Sequence, residues 1–377
     1  MPIGGEEATT WPRPTIPSLP WKALIVLALV GTALGTGLAL LDLSRTQDTN
    51  GGLIHTGPAG PAAALMAREL PQEPQFSKGE HDGPMYYAIA RSPTDLATAS
   101  QSLDRPRYRL QHPLLSWVAW AIHPSGGGMA LVWSFFAVTV VAIFIGSLSM
   151  GALSCTLRGP PYLALLFGIL PGAVMSLRIS VADALGVSLL LLALLLSLRN
   201  HTVWSVVVAC AAVLAKEPMI LGLIGFALWR RDRAGIAVAV APIAVMGAWA
   251  LYLANTVAAG GDRIMEFGVP FVGIGSAVRT WVTGNDAYAM LSVVPALVIG
   301  VYGLAKRGLA HPLVLALGLQ LAFMLLLTRD VIGFERNGTR MSLPVLALGI
   351  VVLATPRGAS FRRPGTAAPV EAAPAAT

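Results

Sequence analysis

A carboxylate next to a Gly-Pro pair is the first feature of this sequence that suits catalysis. Asp82 precedes Gly83 and Pro84, and such a pair favours a turn from which the following segment begins a short helix. A carboxylate held on a turn can serve as a general base; the plainer alternative is a loop acid that caps the helix. Glu80, two residues earlier, would point to the same side of an extended segment and competes for either role. The neighbouring side chains suited to a substrate pocket are His81, Tyr86 and Tyr87.

A basic segment follows, in which Arg105, Arg107 and Arg109 lie close together. It precedes the apolar stretch 114–122, which is too short to span a bilayer and is predicted to be an interfacial helix. Arginines in this position suit a bound phosphate as well as simple anchoring to lipid headgroups. His112, at the end of the segment, is able to orient a carboxylate, and it is equally consistent with a structural role.

Further charged residues lie at the ends of apolar runs, where a charge is costly unless it has a partner or a function. Arg178 with Asp183 is consistent with a local ion pair across a turn as well as with a ligand site. Lys216 with Glu217 is flanked by apolar sequence, and since each charge of a buried adjacent pair needs its own partner, a functional role is favoured. Arg336 and Arg340 are spaced to share one face of a helix.

The composition shows what kind of protein must position these residues. Of 377 residues, 55% are hydrophobic and only 12% are charged, and the mean hydropathy is +0.68. Soluble globular chains contain about 25% charged residues, and a disordered chain would lack the apolar content. The apolar residues form long continuous runs instead of alternating, which argues against a membrane β-barrel. The sequence therefore predicts an all-α polytopic membrane protein.

About ten transmembrane helices are predicted from these runs, with a long outer loop after the first helix that carries short interfacial helices. Two consecutive runs, 202–215 and 218–229, are short and meet at Pro218, which favours two half-depth helices hinged at the proline. The ten runs are 21–41, 127–153, 161–177, 183–198, 202–215, 218–229, 235–255, 287–305, 309–327 and 341–355.

The predicted organisation has three parts: a cytoplasmic N-terminal segment 1–20, a transmembrane domain 21–355 whose outer loop 42–126 carries the candidate catalytic residues, and a disordered cytoplasmic tail 356–377. With both termini inside, twelve Lys and Arg lie in the inner segments against six in the short outer loops, as the positive-inside rule requires. The inner set is Arg13, Lys22, Arg158, Arg199, Arg230, Arg231, Arg233, Lys306, Arg307, Arg357, Arg362 and Arg363. The outer set is Arg178, Arg263, Arg279, Arg329, Arg336 and Arg340.

The remaining signals narrow the function class. The net charge of +7 is explained by this topology, and because no basic stretch alternates with aromatic residues, a nucleic-acid partner is not expected. Cys155 and Cys210 have no metal-ligand spacing and are predicted to be packing residues. The sequence contains no P-loop, no G-x-S-x-G, no H-E-x-x-H and no paired C-x-x-C. The energy for any transfer reaction is therefore expected from a membrane-embedded substrate instead of a nucleotide.

At these residues the chain resembles the bacterial polytopic glycosyltransferases of the GT-C fold, in an uncharacterised branch that uses polyprenyl-phosphate sugars. In that group a first span precedes a long outer loop with an early acid and an Asp-Gly-x-x-Tyr-Tyr-x-x-Ala signature. A Tyr-Arg segment ending in Pro-Leu-Leu, a hydrophobic-Lys-Glu element and an arginine before a late span follow in the same order. The resemblance covers 21–355, and the segments that carry it are 81–90, 108–115, 213–217 and Arg340 with Leu343 and Pro344.

The resemblance implies a hexosyl- or pentosyltransferase of the bacterial cell envelope, in the inner (plasma) membrane with its active site on the extracytoplasmic side. A polyprenyl-phosphate-sugar donor, a glycan or lipid acceptor and membrane lipids are the implied partners. Asp82 would be the general base of an inverting transfer; no cofactor and no metal ligands are expected, and a divalent-metal requirement is left open. Lys216, Arg340, Arg336 and Arg178 would bind the donor phosphate. The remaining substrate-binding candidates are Glu80, His81, Tyr86, Tyr87, Arg107, Arg109, His112, Asp183 and Glu217.

A transporter or flippase for a lipid-linked or anionic substrate is the alternative, because broken helices and intramembrane charges also suit transport. Transporters often contain matched halves, and no internal repeat of the Asp82 or Lys216 segments is present. A non-catalytic membrane scaffold would leave the Lys216–Glu217 pair and the Tyr-rich loop without a purpose.

Overall fold

The fold is that of a computed structural model, which describes residues 18–46, 50–73, 81–124, 126–258, 260, 266–283 and 286–357. Across these ranges the chain is helical, with one isolated antiparallel bridge between Phe267 and Leu327 and no strand. Residues 1–17 of the predicted N-terminal segment, the competing carboxylate Glu80 and residues 358–377 of the predicted tail lie outside the described residues.

The described ranges contain one short 3-10 helix, Asn50–Leu53, and eighteen α-helices. In chain order these are α1 (Trp21–Arg45), α2 (Ala63–Glu69), α3 (Asp82–Arg91), α4 (Leu96–Ser100), α5 (Pro106–Arg109), α6 (Leu114–Ile122), α7 (Met129–Thr156), α8 (Leu163–Ile169), α9 (Pro171–Arg178), α10 (Asp183–Leu198), α11 (Thr202–Ala215), α12 (Met219–Arg230), α13 (Arg233–Thr256), α14 (Val272–Thr283), α15 (Ala287–Arg307), α16 (Val314–Leu325), α17 (Arg329–Ile332) and α18 (Glu335–Ala354).

Five of these helices, α1, α7, α13, α15 and α18, are long and apolar enough to cross a membrane. Four shorter apolar helices, α10, α11, α12 and α16, lie among them. Since a bilayer core of roughly 30 Å needs about 20 apolar residues in one helix, the long helices identify the chain as a helical membrane protein. The prediction of this fold class is confirmed to that extent.

Proline residues divide the apolar runs. The run 161–177, predicted as one span, forms two helices, because Leu170 adopts an extended backbone conformation ahead of Pro171, and a residue before proline disfavours the helical region. The break predicted near Pro218 is present: α11 ends at Ala215, Lys216 is extended, and α12 begins at Met219.

Close helix packing at the first span depends on two glycines. A Cβ on Gly31 would lie 2.4 Å from the backbone oxygen of Leu165, and one on Gly35 would lie 2.0 Å from that of Gly168. The G-x-x-x-G spacing therefore brings the α1 and α8 backbones into direct contact, as small residues do between membrane helices.

The short helices of the loop pack against one end of the bundle. Tyr86 and Tyr87 of α3 share an apolar cluster with Leu115 of α6 and Phe135 of α7. The opposite face of α3, which includes Ile89, packs in a second cluster that contains residues of α13. The loop is therefore a packed layer, and its residues reach side chains at the ends of the long helices.

The predicted turn at Gly83 and Pro84 is wrong in form, because both residues belong to the first turn of α3. Proline is tolerated there, since the first N–H groups of a helix have no intrahelical acceptor. Asp82 is the first residue of this helix, where a negative charge interacts favourably with the helix dipole.

Candidate functional site

Asp82 lies at the centre of a group of charged residues from four separate helices. Its Oδ1 accepts a hydrogen bond of 2.6 Å from Nη1 of Arg109 on α5. Its Oδ2 accepts two bonds of 3.1 Å from Nη1 and Nη2 of Arg340 on α18. The Asp82 side chain is 20% exposed, so the carboxylate is held on both sides and still accessible from one direction.

Each of the two arginines is held in turn by a second carboxylate. Asp104 accepts from Nε and Nη2 of Arg109 at 2.8 and 2.9 Å, a two-point contact. Asp183, the first residue of α10, accepts from Nη1 of Arg340 at 3.1 Å. Asp183 and Arg340 are only 4% and 3% exposed. Such carboxylate–guanidinium contacts are stronger than neutral hydrogen bonds and fix geometry.

The charges around Asp82 set its protonation state. Burial by itself would raise the pKa of the Asp82 carboxyl, but Arg109 and Arg340 outweigh it and hold the pKa well below its ordinary value. The imidazole of His81 is adjacent; burial is the main cause that lowers its pKa to about 4, and the nearby Arg340 and Arg336 add to this against the opposing charge of Asp82. At neutral pH the site therefore contains an ionised Asp82 beside a neutral His81.

Lys216 is the cation of the site that has no direct partner. It is 8% exposed, and within the described ranges its ammonium group makes no hydrogen bond and no ion pair. The groups within its electrostatic reach include Tyr86, Asp183 and Tyr108, and it also acts on Asp82. A lysine this buried whose three N–H donors have no acceptor among the described residues is an unusual arrangement, since buried charges are normally paired.

Aromatic rings form one wall next to these charges. The guanidinium of Arg105 lies 4.2 Å from the centre of the Tyr108 ring, a cation–π contact. Arg105 also binds Glu266 at 2.7 Å, which connects the segment before α14 to the loop. The Tyr108 ring makes an edge contact with the His112 ring, with centroids 5.2 Å apart.

The helix break that presents Lys216 is fixed by two polar contacts. His112 binds the carboxylate of Glu217 through Nε2, as expected for a histidine that orients a carboxylate. Nε2 of Gln320 on α16 donates a hydrogen bond of 2.8 Å to the backbone oxygen of Pro218. These contacts satisfy polar groups that the interruption between α11 and α12 would otherwise leave open.

Two predicted phosphate ligands lie in a separate group. Arg178 does not pair with Asp183; it binds the Asp42 carboxylate at 2.8 Å and the backbone oxygen of Gly52 at 2.6 Å. Arg336 binds the ring of His55. These contacts fasten the beginning of the loop to α9 and α18, next to the Asp82 group. Nε of Arg340 donates a hydrogen bond of 2.6 Å to the backbone oxygen of Arg336, which connects the two groups.

Two other predicted substrate ligands are also engaged elsewhere. The Tyr87 hydroxyl donates a hydrogen bond of 2.6 Å to Glu69, which in turn binds Arg91. These contacts lie on the face of α3 that packs against α7. Arg107 donates to the backbone oxygens at the end of α13 at 2.7 and 3.0 Å. The structure thus uses both side chains to attach the loop to the bundle.

Four residues of the site have no role predicted from the sequence: Asp104, Tyr108, Asn337 and Gln320. Gln320 had a usable signal, because it is the lone amide within the apolar run 309–327, and polar residues in such runs are costly. Asn337, which accepts from Nη2 of Arg340, and Asp104 had no local signal, since their partners are set by tertiary contacts.

Chemically, the arrangement offers a fixed anionic acceptor within electrostatic reach of a cation that has no hydrogen bond or ion pair among the described residues. In the described part of the chain, no group of three or more His, Cys, Asp or Glu is placed to hold a metal ion. A hydroxyl group could bind the accessible oxygen of Asp82, and an anionic group could bind Lys216. No family model, curated protein or solved structure matches this chain, so the functional argument rests on these residues.

Proposed function

We propose that this protein is a membrane glycosyltransferase that moves a sugar from a polyprenyl-phosphate donor to a glycan or lipid acceptor. The observation that carries the proposal is the oriented carboxylate of Asp82 within electrostatic reach of the unpaired ammonium of Lys216. Glycosyl transfer from a lipid phosphate needs a group that accepts the proton of the acceptor hydroxyl and a cation at the leaving phosphate. These two requirements match the two groups.

In the proposed reaction the acceptor hydroxyl donates a hydrogen bond to Asp82 and its oxygen attacks the anomeric carbon of the donor. The new carbon–oxygen bond forms as the bond from that carbon to the phosphate oxygen breaks, and the phosphate keeps the electron pair. The hydroxyl proton passes to Asp82 and then to solvent. Lys216 stabilises the additional negative charge on the phosphate. One displacement inverts the anomeric centre.

We further propose ten transmembrane segments with both termini in the cytoplasm and the site on the extracytoplasmic face of the plasma membrane. The ten segments would be the five long helices, the four short helices α10, α11, α12 and α16, and one crossing formed by α8 and α9 together. The support for this orientation is the excess of Lys and Arg in the inner segments.

The test is transfer of labelled sugar from a panel of polyprenyl-phosphate hexoses and pentoses by purified protein, with Asp82→Asn as the key variant. This change keeps the shape of the side chain and removes its negative charge, so transfer should fall by about 10²–10⁴-fold, the usual contribution of a general base, while donor binding persists. Near-native turnover by Asp82→Asn would exclude Asp82 as the base.

A transporter or flippase for a lipid-linked or anionic substrate is the second candidate, favoured by the helix break at Lys216 between α11 and α12. Such discontinuous helices form substrate sites in transporters. Proteoliposomes separate the two functions: a flippase moves labelled polyprenyl phosphate between leaflets without forming a new glycosidic bond.

A further inference from the structure

We infer that Arg340 is a positioning residue that orients the Asp82 carboxylate together with Arg109, and that it does not bind the donor phosphate. The inference rests on the proposed function, within which it changes the role first expected for Arg340. It leaves Lys216 as the phosphate-binding cation of the central group.

The hydrogen bonds of Arg340 are complete. A guanidinium has five N–H donors in a planar fork, and here five hydrogen bonds go to four acceptor atoms. Nε donates to the backbone oxygen of Arg336, Nη1 donates to Asp82 and Asp183, and Nη2 donates to Asp82 and Asn337. A phosphate oxygen could bind Arg340 only by displacing one of these acceptors, and Arg340 is 3% exposed. A bound anion is therefore not what this side chain is arranged to receive.

Asp82 is held by an arginine on each side. Arg109 also binds Asp104, and Arg340 also binds Asp183, so each arginine is fixed by a second carboxylate in addition to Asp82. We call these five residues the carboxylate clamp: Asp104, Arg109, Asp82, Arg340 and Asp183. Its members come from the loop, from α10 and from α18, which means that the clamp also sets the position of α3 relative to the bundle.

The clamp leaves one direction open at Asp82. A carboxylate has about four acceptor positions; one on Oδ1 is taken by Arg109 and two on Oδ2 are taken by Arg340. Among the described residues the remaining position on Oδ1 is free, which determines where an acceptor hydroxyl binds. The charged and titratable groups that face Asp82 are Arg109, Arg340, His81 and Lys216, together with the Tyr86 and Tyr108 hydroxyls.

This geometry assigns orientation to Arg340 and anion binding to Lys216. A base works best with a pKa near the operating pH, and two guanidinium groups make Asp82 a weaker base than an ordinary aspartate. The benefit of the clamp is therefore placement of the acceptor oxygen. A displacement of about 1 Å in a reacting group costs on the order of 100-fold in rate.

The experiment compares Arg340→Lys with Lys216→Gln in the sugar-transfer assay. Arg340→Lys keeps the charge and loses the fork, so kcat should fall about 10- to 100-fold with the donor KM within about twofold. Lys216→Gln should raise the donor KM about tenfold or more, and it should lower kcat as well because the leaving phosphate loses its cation. Arg340→Gln removes the charge, and the acid limb of the kcat–pH profile should move up by about one to three pH units.

A second readout does not need turnover. Carbodiimides react with protonated carboxyl groups, so peptide mass spectrometry after labelling at about pH 5 should find Asp82 protected in the unmodified protein and modified in Arg340→Gln. Arg91→Gln is the matched control: it removes an arginine–carboxylate pair from the same helix, α3, without contacting Asp82, and should leave Asp82 protected.

The outcomes separate the two proposals. A donor KM raised tenfold or more in Arg340→Lys, with kcat unchanged, would overturn the positioning role and make Arg340 a phosphate ligand. Equal labelling of Asp82 with and without the Arg340 charge would refute the clamp. If the unmodified protein transfers no sugar from the panel, the glycosyltransferase function fails, and the labelling result still decides whether Arg340 holds Asp82.

Discussion

Replacing Lys216 by methionine removes the ammonium group and keeps an unbranched side chain of similar length. Lys216 is buried and its ammonium has no hydrogen bond or ion pair in the described structure. If the ammonium stabilised the fold, its loss would lower the stability of the protein. If the ammonium binds a ligand, its loss would lower the affinity for that ligand and leave the stability nearly unchanged. The variant therefore distinguishes a structural from a functional cation.

The magnitudes follow from the same environment. A hydrogen bond to a charged group contributes about 1.5–3 kcal/mol, and each 1.4 kcal/mol is about tenfold in affinity. Loss of the ammonium should therefore weaken binding of polyprenyl phosphate roughly 10- to 150-fold. Stability should change little, because the ammonium makes no hydrogen bond or ion pair among the described residues that the variant would lose.

The assay pairs two measurements on the same detergent-solubilised sample. Binding of labelled polyprenyl phosphate gives the affinity, and thermal unfolding gives the midpoint Tm. Lys306→Met is the matched control, since Lys306 is an exposed lysine whose ammonium lies 5.4 Å from the Tyr302 ring. Both measurements should be unchanged in the control.

The opposite pattern would refute the reasoning. A Tm lowered by several degrees in Lys216→Met, combined with native lipid affinity, would mean that the lysine supports the fold through contacts and that the anion binds elsewhere. Weaker binding of neutral lipids and of polyprenyl phosphate to the same extent would show that the charge is not what the site recognises.

Two further predictions concern the residues that support the site. Burial, assisted by Arg336, lowers the pKa of His55 to about 3 from 6.5, so the unfolded chain binds a proton below pH 6.5 that the folded chain does not. Stability should therefore decrease as the pH falls from 6.5 to 5, by up to about 1.4 kcal/mol per pH unit; His55→Gln should flatten this slope in thermal-unfolding curves, and an unchanged slope would contradict it. Gly83→Ala would place a Cβ 2.4 Å from the backbone oxygen of Ile54 and should destabilise the protein by about 1–3 kcal/mol, whereas Gly37→Ala, where no atom lies within 4 Å, should be neutral or stabilising in the same melt.

The parts of the fold that depend on local sequence were predictable. Long apolar runs specify membrane helices because hydrophobic length largely decides them, and the described runs are helical, although the run 161–177 forms two helices instead of one. The break at Pro218 follows from the missing N–H and the ring of proline. The short helix after Asp82 was also expected, although it begins at Asp82 itself instead of following a turn.

The pairing of charges was not predictable, because it depends on contacts between distant segments. Arg178 and Asp183 are close in sequence, yet the chain turns at Ser180, which has a positive φ of 50°, and their side chains bind different neighbours. Asp183 binds Arg340, which is 157 residues away in the sequence, and Arg178 binds Asp42, which is 136 residues away. Spacing rules such as i to i+4 carry no information about such pairs.

Completeness of hydrogen bonding is the property that separates functional from structural charges in this site. The two guanidinium groups of the clamp have protein acceptors and Glu217 has His112, so these residues stabilise one another. In the described structure the donors of Lys216 and one acceptor position of Asp82 are open to a ligand. A ligand that completes both must present an acceptor, such as a phosphate oxygen, to Lys216 and a donor, such as a hydroxyl, to Asp82. A lipid-phosphate sugar together with a hydroxylated acceptor meets this requirement, whereas a single anion would satisfy Lys216 alone and leave the orientation of Asp82 without a use.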